Sequence, residues 1–510
     1  MFNPERLLED PPGEAALAVL RRSGFAEPER AARELRLVAA DSQGGQALRT
    51  QLGSFLDTIA RLPDPDGALV RLERFVRAGG AGVISALRHR GPRSAEALFW
   101  AVGGTPFLAE QVIRHPEWAD WLTRPRVLAR PRAARQVALD VRRATRGWGH
   151  EAARDALRLA RRREILLVAV RDLLRLSSVE ETLTALSAVA DGLVEVALGV
   201  AARELREGRP ADRGGARGFA VLALGKLGGS ELNFSSDIDL VYVHRGGTGA
   251  REAHARALAR HLTAVLGETS HEGHVYRVDL RLRPEGRAGS LTHSLDAAEE
   301  YYLGRAATWE RLALLKARPV AGDSAVGREF AERVAPFVWQ RPFEAEAVRQ
   351  VLRLKQETDR RLASRGLGSR HVKLGRGGIR EIELLAQVLQ IRHAGALRLP
   401  RARGTLFALD ALRTGRALAT PEHDALARAY LFLRDVENKL QMAHDTQTHV
   451  IPEDEEGLSH LAARLGYGRG RHGGTDPAAR LRRELAEHTA AVHHLYEDVL
   501  GRLVMTGSAP

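Results

Sequence analysis

Residues Gly228 to Leu240 run Gly-Gly-Ser-Glu-Leu-Asn-Phe-Ser-Ser-Asp-Ile-Asp-Leu, set between the apolar runs Phe219 to Leu224 and Leu240 to Val243. Two apolar runs of strand length joined through a small-residue turn commit this part of the chain to a sheet. Side chains two apart on a strand share a face, so Asp237 and Asp239 point the same way while Ile238 and Leu240 turn into the core. A bare Asp-x-Asp can equally cap a turn, with Gly228 and Gly229 serving only to bend the chain. The coincidence of run, turn and paired acids favours a site. Two carboxylates aimed together suit Mg²⁺, which takes hard oxygen ligands and is usually completed by substrate phosphates. On that reading Gly228, Gly229 and Ser230 grip phosphate beside Asp237 and Asp239. A P-loop is disfavoured, because Gly225-Lys226 is followed by Leu227 and not by Ser or Thr.

Such a pair usually wants a third carboxylate from a neighbouring strand. The stretch His274 to Arg283 alternates, with Tyr276, Val278, Leu280 and Leu282 on one face and Arg277, Asp279, Arg281 and Arg283 on the other. Asp279 is then the third ligand, and the arginines are candidates for phosphate oxygens, which planar guanidinium forks suit well. The alternative is an exposed ion-pair ladder of little energetic weight.

Composition narrows the class. The chain has 510 residues, 44% hydrophobic and 28% charged, which is ordinary for a globular protein and too long for one core. With no cysteine, disulfides and thiolate zinc sites are excluded, and no His-Glu-x-x-His pattern occurs. A formal charge of +13 invites a nucleic-acid reading. Arginine is nevertheless interleaved with acids, aromatics are 5%, and no basic tail is present, so no nucleic-acid partner is expected. Neither an uninterrupted apolar stretch of membrane-spanning length nor an export signal is read, so no membrane association and a cytoplasmic location are expected.

Apolar residues recur at helical spacing from Pro12 to about Arg209, and a Pro/Gly/Arg connector runs from Arg209 to Gly218. Strands are expected over 218–225, 237–244 and 274–283, with a helix from Ala250 to Leu266. Thr308 is read as the N-cap of a helix to about Ala317 that presents Glu310, Lys316 or Arg318 to the site. Helix then resumes after Asp323, with breaks at Gly375 to Gly378, Leu399-Pro400 and Gly466 to Gly474. The turn at Gly375 is either an anion-binding helix start or a tight packing turn. The expected fold is mixed and mostly α: a small α/β core flanked by helical domains, divided as 1–145, 146–325 and 326–510.

Several motifs together resemble the glutamine synthetase adenylyltransferase family. They are Gly225-Lys226-Leu227-Gly228-Gly229 through Asp239, Tyr276 through Pro284, Trp309-Glu310-Arg311 with Lys316-Ala317-Arg318, Lys373 through Glu383, and Leu433-Arg434 to Gln447-Thr448-His449. The resemblance implies a polymerase-beta-like nucleotidyltransferase core, Mg²⁺ held by Asp237, Asp239 and Asp279, and nucleotide or phosphate on Gly228, Gly229, Ser230, Arg277, Arg281, Arg283, Lys316 and Arg318. It further implies glutamine synthetase as protein substrate, ATP, ADP and phosphate as small ligands, and the PII signalling protein as regulator. Family members typically carry two such halves, one attaching AMP to a tyrosine and one removing it by phosphorolysis. This chain shows one copy, and Glu231 to Ser236 with Gly377 to Glu383 looks more like the N-terminal, removing half. His371 departs from the acidic or amide residue more usual before Val-Lys. Rival readings are uridylyl transfer to a signalling protein and a nucleotide-binding scaffold without turnover.

Overall fold

The computed structural model describes residues 3–41, 44–145, 147–208, 215–247, 249–397, 403–468 and 476–506. Residues 209–214 of the expected connector, the Leu399-Pro400 break and residues 469–474 of the Gly-rich loop lie outside the described residues. The rest is mostly helix with one small sheet, the class expected from the sequence.

The chain forms two compact units. One gathers Met1–Pro131, Arg162–Thr182 and Asn438–Glu484; the other gathers Arg132–Arg161, Leu183–Glu437 and Leu485–Pro510. Neither is a contiguous stretch, in contrast to the three successive segments drawn from the sequence. Pairings between distant residues decide the partition, and helical periodicity carries no record of them.

The first unit is all helix. Among its described residues, α-helices open on proline at Pro28, Pro65, Pro92, Pro106, Pro116 and Pro125, where the missing N–H is one the helix would leave unpaired anyway. Asp64 and Thr105 cap two of them by accepting from Gly67 N at 2.8 Å and Leu108 N at 3.1 Å. Behind the apolar faces, which bury Leu35, Leu69, Phe75, Leu98 and Val112, lies an ion pair. Lys439, 0% exposed, donates to Asp172, which also accepts from the Thr182 hydroxyl at 3.2 Å.

The second unit holds the sheet: β1 (Phe219–Leu224), β2 (Ile238–His244), β3 (Val278–Asp279), β4 (Thr292–Ser294) and β5 (Arg318–Gly322). Its order is β3-β2-β1-β5, with β4 also pairing β2. β1 is antiparallel to β2 and β5, whereas β2 runs parallel to β3 and β4. All six residues of β1 are buried, as a continuous apolar run covered on both faces requires. The helix Gly249–Gly267 joins β2 to β3, as expected. The helix Ile379–Leu397 buries Ile379, Ile382, Leu385 and Leu389, the face read from its spacing.

Local expectations fail in three places. The strand expected over 274–283 shrinks to two residues, with Val275 and Tyr276 both buried in place of alternating. Past Asp279 the chain folds back, because Arg283 donates to the carbonyls of Leu280, Arg287, Gly289 and Ser290. β4 and β5 were not anticipated; Pro319 inside β5 marks it against a central strand, and it lies at a sheet edge where a missing donor is tolerated. The helix Thr308–Leu314 has Ala307, not Thr308, at its cap position. There Glu310 accepts from Ala307 N at 3.0 Å and from the Tyr301 hydroxyl at 2.9 Å, which turns it away from any nucleotide.

The helix Val179–Glu207 is long and apolar enough, by length and composition, to cross a membrane. Its apolar window is 72% buried within the protein, with Leu186, Leu193 and Val194 fully covered, so that surface is already committed to the core.

Lys439→Met removes a cation from the buried Asp172 carboxylate and is expected to destabilise the protein by about 3 kcal/mol. A lowered thermal midpoint reads this out, and Asp172→Leu added to Lys439→Met is expected to restore much of it.

Candidate active site

Strand register builds the site. β1 and β2 place Leu224 opposite Asp239, and β2 and β3 place Asp239 beside Asp279. Asp237 lies one residue before β2, and Ile238 N there donates to Arg277 O at 3.0 Å. The acids of both segments therefore reach one end of the sheet. Gly225, directly after β1, has φ +56°, and a Cβ there would stand 2.1 Å from Asp239 Oδ2. Only glycine lets the chain turn this close to the carboxylate.

The three acids differ in their charge partners. Arg277 Nε donates to Asp237 Oδ1 at 2.5 Å. Arg281 binds Asp279 with its backbone N at 2.8 Å and its Nε at 2.8 Å. Burial works to raise the Asp279 carboxyl, and these Arg281 bonds outweigh it and hold it below the usual value. The Asp239 carboxylate has no hydrogen bond or ion pair among the described residues. Burial, then the charges of Asp279 and Asp237, push it up to about 6 against the pull of Lys373 and Arg281. A carboxylate uncompensated in this way beside two others is the donor chemistry that fits a hard divalent cation. Among the described residues no three His, Asp or Glu side chains stand already gathered as a metal cage. The guanidiniums on Asp237 and Asp279 occupy oxygens that a metal would need.

Asp239 and Gly225 open onto a cavity of about 340 Å³. Its lining combines apolar residues, among them Leu282, Trp309, Leu312 and Leu354, with the cations Lys226, Lys316, Lys355, Lys373 and Arg380 and the acid Glu383. Lys226 donates to Glu437 Oε1 at 2.8 Å, and burial foremost brings it down to about 7. Lys316 is buried and donates to Glu231 at 2.9 Å, Glu383 at 3.2 Å and the Thr405 hydroxyl at 3.2 Å. Burial works to raise the Glu383 carboxyl, and Lys316, Arg380, Arg434 and Lys373 overcome it, holding it at about 2.

The residues expected from the sequence thus divide. Asp237, Asp239, Asp279, Arg277 and Arg281 meet at the sheet end, and Lys316 lines the cavity. Gly228, Gly229 and Ser230 do not line it. A Cβ on Gly228 would stand 2.2 Å from Lys316 O, and one on Gly229 would stand 2.8 Å from Glu231 Oε2, so these glycines admit neighbours in place of phosphate. Ser230 holds the left-handed turn at φ 59°. Arg318 clamps that turn through Leu227 O at 2.8 Å and Gly228 O at 3.2 Å, and it pairs with Asp191 at 2.9 Å. Arg283 is spent on its own loop. At Gly375 to Gly378 the first donors of the following helix are taken: Ile379 N by Val372 O and Arg380 N by Lys373 O. Packing, not anion binding, explains those glycines.

Sequence reasoning passed over Gly225, Lys226, Lys355 and Lys373 as site residues. Gly225-Lys226 directly follows a buried strand, which was a usable signal. Lys355 sits in an amphipathic helix among other charges, and nothing in its spacing sets it apart.

Residues 95–333 match the family model described as glutamate-ammonia ligase adenylyltransferase, and residues 346–500 match that described as GlnD PII-uridylyltransferase. Three relatives are named bifunctional glutamine synthetase adenylyltransferase/adenylyl-removing enzyme. That of Streptomyces avermitilis is 34% identical over 504 residues, covering 96% of this chain and 47% of the relative. That of Thioalkalivibrio sulfidiphilus is 39% identical over 416 residues, covering 79% and 42%. That of Stenotrophomonas maltophilia is 42% identical over 307 residues, covering 58% and 33%. The chain spans less than half the length of these relatives. The second match, which takes in Lys373, Arg380 and Glu383, is to the uridylyltransferase model; the first takes in all three acids of the sheet end, and with a relative of the adenylyltransferase name aligned over 96% of this chain, the chain belongs to the glutamine synthetase adenylyltransferase family.

Proposed function

We propose that this chain transfers an adenylyl group at a tyrosine of glutamine synthetase, in the removing direction. The pairing of Asp239 with Asp279, beside a cavity that Asp239 lines together with apolar and cationic side chains, carries this reading. The apolar lining residues suit a nucleobase and the lysines suit phosphates. Asp237, Asp239 and Asp279 would hold Mg²⁺, which would neutralise charge at the α-phosphoryl oxygens. Inorganic phosphate attacks the AMP phosphorus in line with the tyrosine oxygen; the new P–O bond makes ADP, and the phenolate leaves and takes a proton. Fixing attacking and leaving groups in line would serve the attaching reaction as well, in which the tyrosine oxygen attacks the α-phosphorus of ATP, the α–β bond breaks and pyrophosphate leaves. Resemblance to the removing half at Glu231 to Ser236 and Gly377 to Glu383 supports the chosen direction.

The PII signalling protein is the proposed regulator. The family matched over 346–500 carries PII in its name, which supports this and also favours a second reading, uridylyl transfer to a signalling protein. The adenylyl reading is preferred because the match over the acids themselves is to an adenylyltransferase.

With adenylylated glutamine synthetase, Mg²⁺ and phosphate, the chain is expected to release ADP, and Asp237→Asn or Asp239→Asn to lower that rate by about 10³-fold or more. Full activity in both variants would sink the mechanism. AMP incorporation from ATP with no ADP release from the adduct would reverse the direction.

Asp239 also predicts a stability effect in metal-free protein. Its folded value of about 6 lies above the ordinary 3.8, so the folded state holds the extra proton between them and stability falls as pH rises through that window. Asp239→Asn is therefore expected to stabilise the inactive, metal-free protein at neutral pH by up to about 3 kcal/mol. Denaturation midpoints at pH 4 and pH 7.5 check it: the gain should be confined to the higher pH.

A further inference from the structure

The cavity cations are not equivalent. Lys226 is bound by Glu437, Lys316 by Glu231 and Glu383, and Lys355 by Glu381 at 2.8 Å and by Asp359. Arg380 stands 3.8 Å from Glu383. The Lys373 ammonium alone among these five has neither hydrogen bond nor ion pair among the described residues.

Its backbone is nonetheless held firmly. Lys373 O accepts from Arg380 N at 2.9 Å, Leu374 N donates to His371 Nδ1 at 3.0 Å, and Ile379 N donates to Val372 O at 3.0 Å. Gly377, at φ +70°, lets the turn press against Thr489, where a Cβ would stand 1.8 Å from the carbonyl oxygen. The half-buried side chain springs from this fixed turn into the cavity that Asp239 lines, and its charge is felt at Asp239, Lys226 and Glu383. A cation on a rigid base, half withdrawn from water and with no carboxylate at ion-pair distance among the described residues, is suited to receive an anion. With the α-phosphoryl at the aspartates, the next phosphate along the chain of a nucleotide is the anion in reach.

Resting on the adenylyl-transfer reading of the same site, we propose that Lys373 binds the phosphate adjacent to the transferred α-phosphoryl. That group is inorganic phosphate before transfer and the β-phosphate of the nucleoside diphosphate after it. The lysines already bound by carboxylates then act as positioning residues for the cavity wall. A substrate-touching cation thereby comes from the turn at 371–378, well beyond the strands that supply the acids.

Calorimetric titration of the full chain with ADP and with AMP, each with Mg²⁺, tests this. Wild-type protein is expected to bind ADP more tightly than AMP. Lys373→Met should weaken ADP by about tenfold or more while leaving AMP within about twofold, and Lys373→Arg should recover most of the loss. Because the ammonium makes no hydrogen bond or ion pair among the described residues, both variants should keep the wild-type thermal midpoint to within a few degrees. ADP affinity unchanged in Lys373→Met, or equal losses for ADP and AMP, would overturn the assignment while leaving the nucleotide site standing. Wild-type protein that binds neither nucleotide would overturn the site reading itself, and the role of Lys373 with it.

Discussion

Two parallel strands in register set Asp239 against Asp279, and the remainder of the site is arranged around the repulsion this creates. Burial and the neighbouring charges lift Asp239 to about 6, a state that isolated chemistry would avoid and that a divalent cation relieves. Arg277 and Arg281 take up the other two acids, and they do so from the segment that carries Asp279. The same short segment thus delivers a carboxylate and the guanidiniums that restrain it. A metal held by these acids would compete with the arginines for the same oxygens.

The scaffold behind the cavity is ionic to an unusual degree for a buried region. Arg434, 0% exposed, donates to Glu231 O and to the Tyr430 hydroxyl at 3.3 Å, and it stands 3.4 Å from Glu437, which in turn holds Lys226. Glu231 and Glu383 share Lys316, and Thr405 N donates to Glu231 as well. Replacing such a network by apolar residues commonly leaves stability unchanged or better, so stability alone does not explain it. Its consequence is geometric: the turn after β1, the helix Ile379–Leu397 and the helix Thr420–Met442 are tied at fixed register around the cavity. Lys373, standing outside the network, is left available for a ligand.

Much of the fold was legible because it is local. β1 and β2 read as apolar runs and the helix Gly249–Gly267 as a periodic segment; of the two acids read as a strand pair, Asp239 lies in β2 and Asp237 one residue before it. The strand over 274–283 was misread, since alternating Arg and apolar residues look the same whether the arginines face solvent or fold back onto carbonyls, as Arg283 does. Gly228 and Gly229 were taken for a phosphate cradle because a glycine that admits a ligand and one that admits Lys316 O are identical in sequence.

What the sequence by itself determined is the chemistry available: three acids on two strand segments, a glycine-rich turn, and motifs specific enough to name a family. Tertiary structure alone decided which groups meet, because parallel pairing of β2 with β3 and the burial of Lys316, Glu383 and Arg434 depend on residues far apart in the chain. It also decided which cations are spent and which is free, since an ammonium is neutralised by a carboxylate only at contact distance and spacing along the chain does not encode that distance.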